Sequence, residues 1–317
     1  MEPESEPRLL SPPAISPMRY YGGTARRSPW LQFRELLEYR ELIETFAVRD
    51  LKVRYRQTIV GIAWAILQPV LTMVVFSLLF SMVNGKPHSN ETPYAVTSLC
   101  GLVPWQLFAV TVVAATQSVV VNAQLIQKVY FPRIALPIAS MIPSLVDFAI
   151  AMLVLLGMML AFGVVPSWKI IFLPVFVAQI VAVSLSVSLW LSALNAIYRD
   201  VQYAVPFFVQ IGMLASPVVY EMNAVVPGEW QWVYSLNPIA GTLEGFRWAL
   251  LGTDFPALVP MLISLVTTLV LLVGGMTYFR EKTFHSAKIS HPTDQQYECR
   301  DQRDKHRDQS GKVSSQQ

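Results

Sequence analysis

Residues 138–163 read IASMIPSLVDFAIAMLVLLGMMLAFG, and Asp147 is the only ionisable side chain among them. A helix needs about 20 apolar residues to cross the roughly 30 Å hydrocarbon core of a bilayer. The stretch meets that requirement, and the whole chain suits the same solvent, since 53% of its residues are hydrophobic and 14% are charged. Soluble domains carry about 25% charged residues. The sequence therefore predicts a membrane protein.

Five further segments are apolar over a similar length. They are residues 59–83, 99–122, 170–196, 203–220 and 257–279. The segment 203–220 is the shortest, and Pro and Gly residues interrupt the half-apolar stretch that follows it. Non-helical backbone at membrane depth is tolerated only against protein or water. We expect an all-α, polytopic fold of six transmembrane helices in residues 31–284, with the interrupted stretch re-entrant or interfacial.

The positions of Lys and Arg predict the orientation of these helices. Of 24 such residues, only Lys86, Lys169 and Arg247 fall on one side of the six predicted spans. Positive residues are retained on the cytoplasmic side of a membrane. Both termini are therefore expected in the cytoplasm. The basic residues beside the first span form a predicted cytoplasmic membrane anchor, namely Arg49, Lys52, Arg54 and Arg56.

The segments outside the predicted spans differ in composition. Residues 1–30 are rich in Pro and Ser, and residues 285–317 are mostly polar, so both are expected to be disordered in the cytoplasm. Residues 33–57 place apolar side chains at helical spacing among charged ones, which is typical of an amphipathic interfacial helix. The alternative for this segment is a soluble helix that packs on a partner.

Several catalytic and binding motifs are missing from the sequence. The chain has no G-x-x-x-x-G-K-[ST] phosphate loop, no G-x-S-x-G elbow and no His/Glu metal pair. Its two cysteines, Cys100 and Cys299, match no metal-ligand spacing. We expect no catalytic, cofactor-binding or metal site on this chain, and no ATP hydrolysis by it.

Between the second and third predicted spans lies a short basic segment. Pro132 is expected to end a short helix there, and two aromatic residues lie between Lys128 and Arg133. Such a compact knob can fit a groove of another protein. A plain basic loop is the alternative interpretation. The residues of this predicted coupling segment are Leu125, Ile126, Lys128, Val129, Tyr130, Phe131, Pro132 and Arg133.

Several motifs occur in an order that makes the chain resemble, over about residues 33–284, the polysaccharide and polyol export permeases of the ATP-binding-cassette superfamily, type-2 exporter class. The motifs are RDLKVRYRQT at 49–58, followed by Gly61, Trp64, Gln68 and Pro69; the coupling segment; Asn195, Tyr198, Arg199, Asp200 and Val201; Ser216, Pro217, Val218 and Tyr220; and Asn237, Pro238 and Arg247. No single one of these motifs is diagnostic, but together and in order they are specific.

This resemblance implies a permease subunit in a bacterial inner (cytoplasmic) membrane that pairs with a second copy of itself and with two copies of a separate ATPase. ATP and Mg would be bound by that partner, which would drive the coupling segment. The substrate implied is a lipid-linked polysaccharide of O-antigen, capsule or teichoic type. The alternatives are a drug or small-lipid exporter of the same superfamily, a proton-coupled carrier or channel, and a membrane-bound glycosyltransferase or ligase.

The resemblance also implies short re-entrant helices that gate the outer mouth within residues 221–255, although an interfacial aromatic belt would explain the same tryptophans. The predicted gate residues are Trp230, Trp232, Asn237, Pro238 and Arg247. Aromatic rings also suit a glycan path, and ordinary packing is the alternative for them. The path candidates are Trp64, Phe76, Trp105, Phe108 and Trp190.

Asp147 is the one ionisable residue within the predicted spans. A carboxylate at the centre of a membrane helix costs about 3 kcal/mol on insertion scales, so it should face protein, water or substrate. A proton relay would use several such groups. We therefore expect Asp147 to make a structural hydrogen bond between helices.

Overall fold

The computed structural model describes residues 38–55, 93–128, 131–218, 236–253 and 258–289, with Tyr220, Tyr234 and scattered positions between 66 and 78. The described part is helical, without a strand. Its α-helices are α1 (Arg40–Tyr55), α2 (Tyr94–Val121), α3 (Ala123–Lys128), α4 (Ala135–Ala161), α5 (Leu173–Ile197), α6 (Val201–Ala215), α7 (Pro238–Leu251) and α8 (Leu258–Ile289); a 3₁₀ turn, Trp168–Phe172, precedes α5.

Four helical segments are long and apolar enough to cross a membrane: Tyr94–Val121, Ala135–Ala161, Trp168–Ile197 and Leu258–Lys282. They correspond to the second, third, fourth and sixth predicted spans. The fifth becomes α6, which is apolar but has 15 residues and is about 22 Å long, short of a 30 Å core. Most of the first predicted span, 59–83, lies outside the described residues. The described chain therefore confirms four of the six predicted spans.

Two apolar clusters occupy opposite ends of this bundle. One cluster joins the beginnings of α2 and α5, the end of α4 and all of α7. The other joins the ends of α2 and α5, the second half of α8, the beginning of α4 and Phe46 of α1. It follows that α2, α5 and α8 run in one direction and α4 runs in the other. We call the first cluster the α7 end and the second the α3 end.

Polar side chains join α5 to α8 along their length. Gln179 Nε2 donates to Ser264 Oγ at 3.3 Å, and Trp190 Nε1 donates to the Leu271 carbonyl at 3.0 Å. Trp190 also lies against Gly274 and Gly275, where a Cβ atom would come within 3.0 Å of its ring. Small residues let membrane helices approach closely, and hydrogen bonds between helices reinforce that packing. These contacts fix α8 against the centre of the bundle.

We predict that Trp190→Ala lowers the free energy of unfolding by about 3 kcal/mol, because it removes a large packed ring together with its hydrogen bond. Trp168→Ala is the matched control, since the Trp168 side chain is 77% exposed and its loss should change stability by less than about 0.5 kcal/mol. The measurement is the fraction of folded protein left after heating in detergent. Equal melting of the two variants would contradict the packing role of Trp190.

Candidate functional site

Helix α7 begins and ends with residues suited to helix termini. Asn237 is its N-cap, and its side-chain oxygen accepts a hydrogen bond from the Ile239 amide at 3.2 Å. Pro238 follows at the first helical position, where the missing N–H costs nothing. Gly252 ends the helix with φ +72°, the left-handed conformation that glycine adopts without strain. The chain is thus directed into a short helix of 14 residues at this point.

A buried arginine joins α7 to the turn that follows α6. Arg247 is 1% exposed; its Nη1 donates to the Tyr220 carbonyl at 3.0 Å and its Nη2 donates to the Val218 carbonyl at 2.5 Å. Nη1 also lies 3.4 Å from Oε1 of Glu244, one turn earlier in α7. The two carbonyls lie beyond Ala215, the last residue of α6, so the guanidinium satisfies backbone acceptors of the turn.

The arginine and its carbonyl partners lie directly on α2. A Cβ atom on Gly101 would lie 1.9 Å from the Val218 carbonyl oxygen and 2.6 Å from Arg247 Nη2. Only a residue without a side chain allows this approach. Gly101 is therefore the position at which α2 packs directly against the turn after α6.

Two more hydrogen-bonded links connect the same segments. Asn237 Nδ2 donates to Ser216 Oγ at 2.9 Å. The hydroxyls of Tyr220 and Tyr234 lie 2.5 Å apart, and Tyr234 also donates to the Ala215 carbonyl at 2.5 Å. Burial raises the pKa of Tyr234, and its hydrogen bond to Tyr220 raises it further. The Tyr234 hydroxyl therefore stays protonated and available as a donor.

Three motifs that are separate in the sequence thus come together in one place. Ser216, Val218 and Tyr220, the Asn237-Pro238 pair and Arg247 form one hydrogen-bonded unit, which we call the α6–α7 junction. Of the predicted gate residues, Asn237, Pro238 and Arg247 belong to it. Trp230 and Trp232 lie outside the described residues.

On its other side, α7 is held by Lys169 of the 3₁₀ turn and by Phe176 of α5. Lys169 Nζ donates to the carbonyls of Gly252 and Thr253 at 3.2 and 3.3 Å and lies 5.1 Å from the Trp248 ring centre. Gly245 lies against Phe176 so closely that a Cβ atom would be 2.0 Å from the ring. In the sequence, Lys169 is only a charged residue of a predicted loop. Its capping role depends on a contact across more than eighty residues, for which the sequence carries no local signal.

Three of the predicted path residues take part in helix packing. Trp105 and Phe108 are buried, with ring centres 5.2 Å apart, and Trp105 lies on Gly212 of α6. Trp190 stacks on Tyr278 of α8 at 4.7 Å. The packing interpretation accounts for these contacts. Trp64 and Phe76 lie outside the described residues.

At the other end of the bundle, the coupling segment begins with the six-residue helix α3. Leu125 and Ile126 pack on the apolar cluster of the α3 end. The Phe131 ring is 6% exposed and makes a tilted contact with Phe46 of α1, with ring centres 5.8 Å apart. Pro132 and Arg133 are partly exposed, whereas Val129, Tyr130 and the Lys128 side chain lie outside the described residues.

The burial of Phe131 corrects one detail of the sequence interpretation. The projecting knob was expected to include this ring, but apolar neighbours within the chain, Phe46 and Ile134, cover it instead. An isolated aromatic ring gains more from burial against its own chain than from exposure to water. In this structure, Phe131 attaches the coupling segment to the apolar cluster of the α3 end.

The predicted anchor residues of α1 have different surroundings. Arg49 pairs with Asp50 at 2.8 Å, and Lys52 is exposed, while Arg56 lies outside the described residues. Arg54 Nη2 instead lies 2.7 Å from Oδ2 of Asp147 in α4. Arg54 is thus an ion-pair partner of a residue in a membrane helix.

A second side chain of α1 completes the surroundings of Asp147. The Tyr55 hydroxyl donates a hydrogen bond to Asp147 Oδ1. Burial, together with the adjacent carboxylate, raises the pKa of Tyr55 to about 12. The expectation that Asp147 makes a structural hydrogen bond between helices is confirmed. We call Arg54, Tyr55 and Asp147 the α1–α4 clamp.

These features define a helical, multi-pass membrane protein with a short connecting helix at one end and a tightly bonded helical junction at the other. The chain belongs to the ABC-2 type transporter family, which matches residues 41–251. It is a transport permease of that family, which works with an ATPase subunit.

Characterised relatives extend the comparison to nearly their full length. The chain is 27% identical over 250 residues to the O-antigen export system permease protein RfbA of Myxococcus xanthus, covering 78% of this chain and 95% of the relative. It is 26% identical over 254 residues to the protein of the same name from Klebsiella pneumoniae, with the same coverage of both chains.

Proposed function

We propose that this chain is the permease subunit of an ATP-driven exporter that moves a lipid-linked polysaccharide, of O-antigen, capsule or teichoic type, across a bacterial inner membrane. The observation that carries the proposal is the similarity to two O-antigen export permeases over 95% of their length.

In this proposal the α3 end faces the cytoplasm and contacts a separate ATPase that binds ATP and Mg. Most Lys and Arg residues of the sequence fall on this side of the predicted spans, which supports the orientation with both termini inside. The chain itself needs no cofactor. Residues 59–83 and 203–220 complete six spans, residues 33–57 contact the membrane surface, and two permeases pair around the substrate.

The α6–α7 junction is the proposed outer gate of this exporter. Helices α6 and α7 are both shorter than a bilayer is thick. Tyr234 donates to the carbonyl of Ala215, where α6 ends, and Arg247 satisfies the carbonyls of the turn that follows. Short helices with satisfied ends can line a cavity at membrane depth. Trp230 and Trp232 belong to the same proposed gate. The proposed glycan path comprises Trp64, Phe76, Trp105, Phe108 and Trp190.

The geometry of Asp147 argues against a proton-coupled carrier. A relay carboxyl must exchange its proton with water or substrate. Both carboxylate oxygens of Asp147 are already engaged, one by Arg54 and one by Tyr55. Export of a drug or small lipid is the other candidate function. The two functions are distinguished by which compound accumulates in cells that lack the permease.

Deletion of the gene tests the proposed function directly. We expect the surface polysaccharide to be lost and lipid-linked polysaccharide to accumulate inside the cell, because synthesis continues while export stops. Surface glycan is measured on gels and internal glycan in lipid extracts. Normal surface polysaccharide without internal accumulation would refute polysaccharide export.

Complementation of the deletion strain with a Lys128→Glu chain tests the proposed coupling segment in the same assay. The reversed charge should leave the chain inserted and the surface polysaccharide absent. Glu44→Lys, a charge reversal at an exposed position on α1 outside the predicted anchor, is the control and should restore export. Full restoration by the Lys128→Glu chain would refute the assigned role of this segment.

A further inference from the structure

Helix α1 is attached to the region of α4 at two separate points. The first is the contact between Phe46 and Phe131, the residue that ends the coupling segment's apolar part and precedes α4. The second is the α1–α4 clamp, where Arg54 and Tyr55 hold Asp147. The two points lie at opposite ends of the contact, so α1 runs alongside the first half of α4.

The clamp lies deep along α4. Asp147 follows the first residue of α4, Ala135, by 12 positions, which corresponds to about 18 Å at about 1.5 Å per residue. This is near the midpoint of a helix long enough to span a membrane. Charged groups at such depth are costly and are retained where they pair with one another. The pairing partners come from the last two described residues of α1.

Apart from the clamp, the part of α1 after Ala47 is held only weakly, whereas Leu42 and Ile43 before it also pack on the apolar cluster of the α3 end. The buried side chains of α1 are those of Phe46 and Ala47, both at the first attachment point. Most other side chains of α1 are exposed or partly exposed, and Val53 is 75% exposed. The direction of α1 beyond Ala47 thus depends on the clamp. The first predicted span, 59–83, begins a few residues later.

We propose that Asp147 is a positioning residue of the transport cycle, which joins α1, the coupling segment and the first half of α4 into one unit that moves together. Through Arg54 and Tyr55, displacement of the coupling segment reaches the beginning of the first predicted span as well as α4. Without the clamp, α1 is attached only through its first half, by Phe46, Ala47 and the neighbouring Leu42 and Ile43, and the displacement reaches α4 alone. This inference rests on the proposed function.

The experiment compares Asp147→Asn, Arg54→Gln and the double variant in the complete complex with its ATPase. Each single change leaves one charge without its partner, either Arg54 on α1 or Asp147 near the middle of α4, so these variants are expected to assemble less well than the natural protein. The double variant removes both charges and is expected to assemble normally. Glu41→Gln with Glu44→Gln is the control pair, because both side chains are exposed, lie on the same helix and belong to neither attachment point.

Two readouts distinguish positioning from simple stabilisation. One is ATP hydrolysis by complexes in vesicles, with and without the lipid-linked polysaccharide extracted from the deletion strain. The other is hydrogen exchange of the α1 backbone amides. In the double variant we expect faster exchange in residues 51–55, unchanged exchange around Phe46, and loss of the stimulation by polysaccharide. The control pair should behave like the natural protein in both readouts.

Each other outcome has a definite meaning. If the double variant keeps its stimulation, whether or not exchange becomes faster, the clamp does not transmit movement and the inference is overturned. Lost stimulation with unchanged exchange in residues 51–55 overturns it as well, since α1 is then still held. If the natural complex itself shows no stimulation by polysaccharide, the proposed function fails, and the inference that rests on it fails too.

Discussion

Replacing Arg247 with methionine is expected to lower the free energy of unfolding by about 3–5 kcal/mol. The arginine is 1% exposed and donates to the carbonyls of Val218 and Tyr220, while Glu244 lies beside it. Methionine fills a similar volume but donates to neither carbonyl, one of which is buried and the other partly buried. Breaking a buried charged network costs about 3–5 kcal/mol, against a total stability of about 5–15 kcal/mol for a typical domain.

The measurement is thermal unfolding of the purified protein in detergent, followed as the loss of the monodisperse peak in gel filtration. Arg49→Met is the control, since Arg49 is exposed and its surface ion pair should contribute less than about 1 kcal/mol. Arg247→Lys keeps the charge but cannot present two nitrogens in a planar fork, so it should melt between the natural protein and Arg247→Met. Melting of Arg247→Met at the temperature of the control would show that the junction does not depend on this side chain.

Adding one methyl group at Gly101 is expected to be nearly as damaging. In Gly101→Ala the Cβ atom would lie 1.9 Å from the Val218 carbonyl oxygen and 2.6 Å from Arg247 Nη2. A backbone carbonyl cannot rotate away as a side chain can, so α2 and the turn after α6 must separate. Overpacking costs about 1–3 kcal/mol in general, and we expect at least the upper value here because the arginine bonds are strained too.

Gly157→Ala is the matched control for this change. Gly157 also lies within a transmembrane helix, α4, but a Cβ atom there meets nothing within 4 Å. Alanine should stabilise that helix by about 0.5–1 kcal/mol, because glycine loses more backbone freedom on folding. The two alanine variants should therefore melt on opposite sides of the natural protein. The same melting temperature for both would contradict the close approach at Gly101.

Much of the fold follows from hydropathy that can be read along the chain. The bounds of α2, α4, α5 and α8 agree with predicted spans to within several residues at most ends, and Pro238 and Gly252 bracket α7 as helix-terminal residues do. Asp147 could be predicted as an interhelical bond, because a lone carboxylate in an apolar stretch must find a partner. The prediction could not name Arg54, since pairs so distant in sequence leave no local pattern.

The candidate site was only partly predictable for the same reason. The order of the motifs around Ser216, Asn237 and Arg247 indicated that these residues matter, but not that they contact one another. Phe131, Trp105 and Trp190 show the opposite case. In the sequence, their aromatic character suits a partner groove or a sugar path equally well. In the structure, Phe131 packs against Phe46, Trp105 against Gly212 and Trp190 against Gly274.

The sequence alone thus determines that this protein lies in a membrane, that it is helical, and where four of its membrane helices are. It can do so because the cost of burying charge in lipid acts on each segment separately. The tertiary structure decides which end carries the buried arginine junction, where Asp147 finds its counter-ion and which aromatic rings are packed away. Those features depend on where side chains from distant segments meet. The residues 138–163 specify a membrane helix by themselves, but the role of the carboxylate within them is specified by α1.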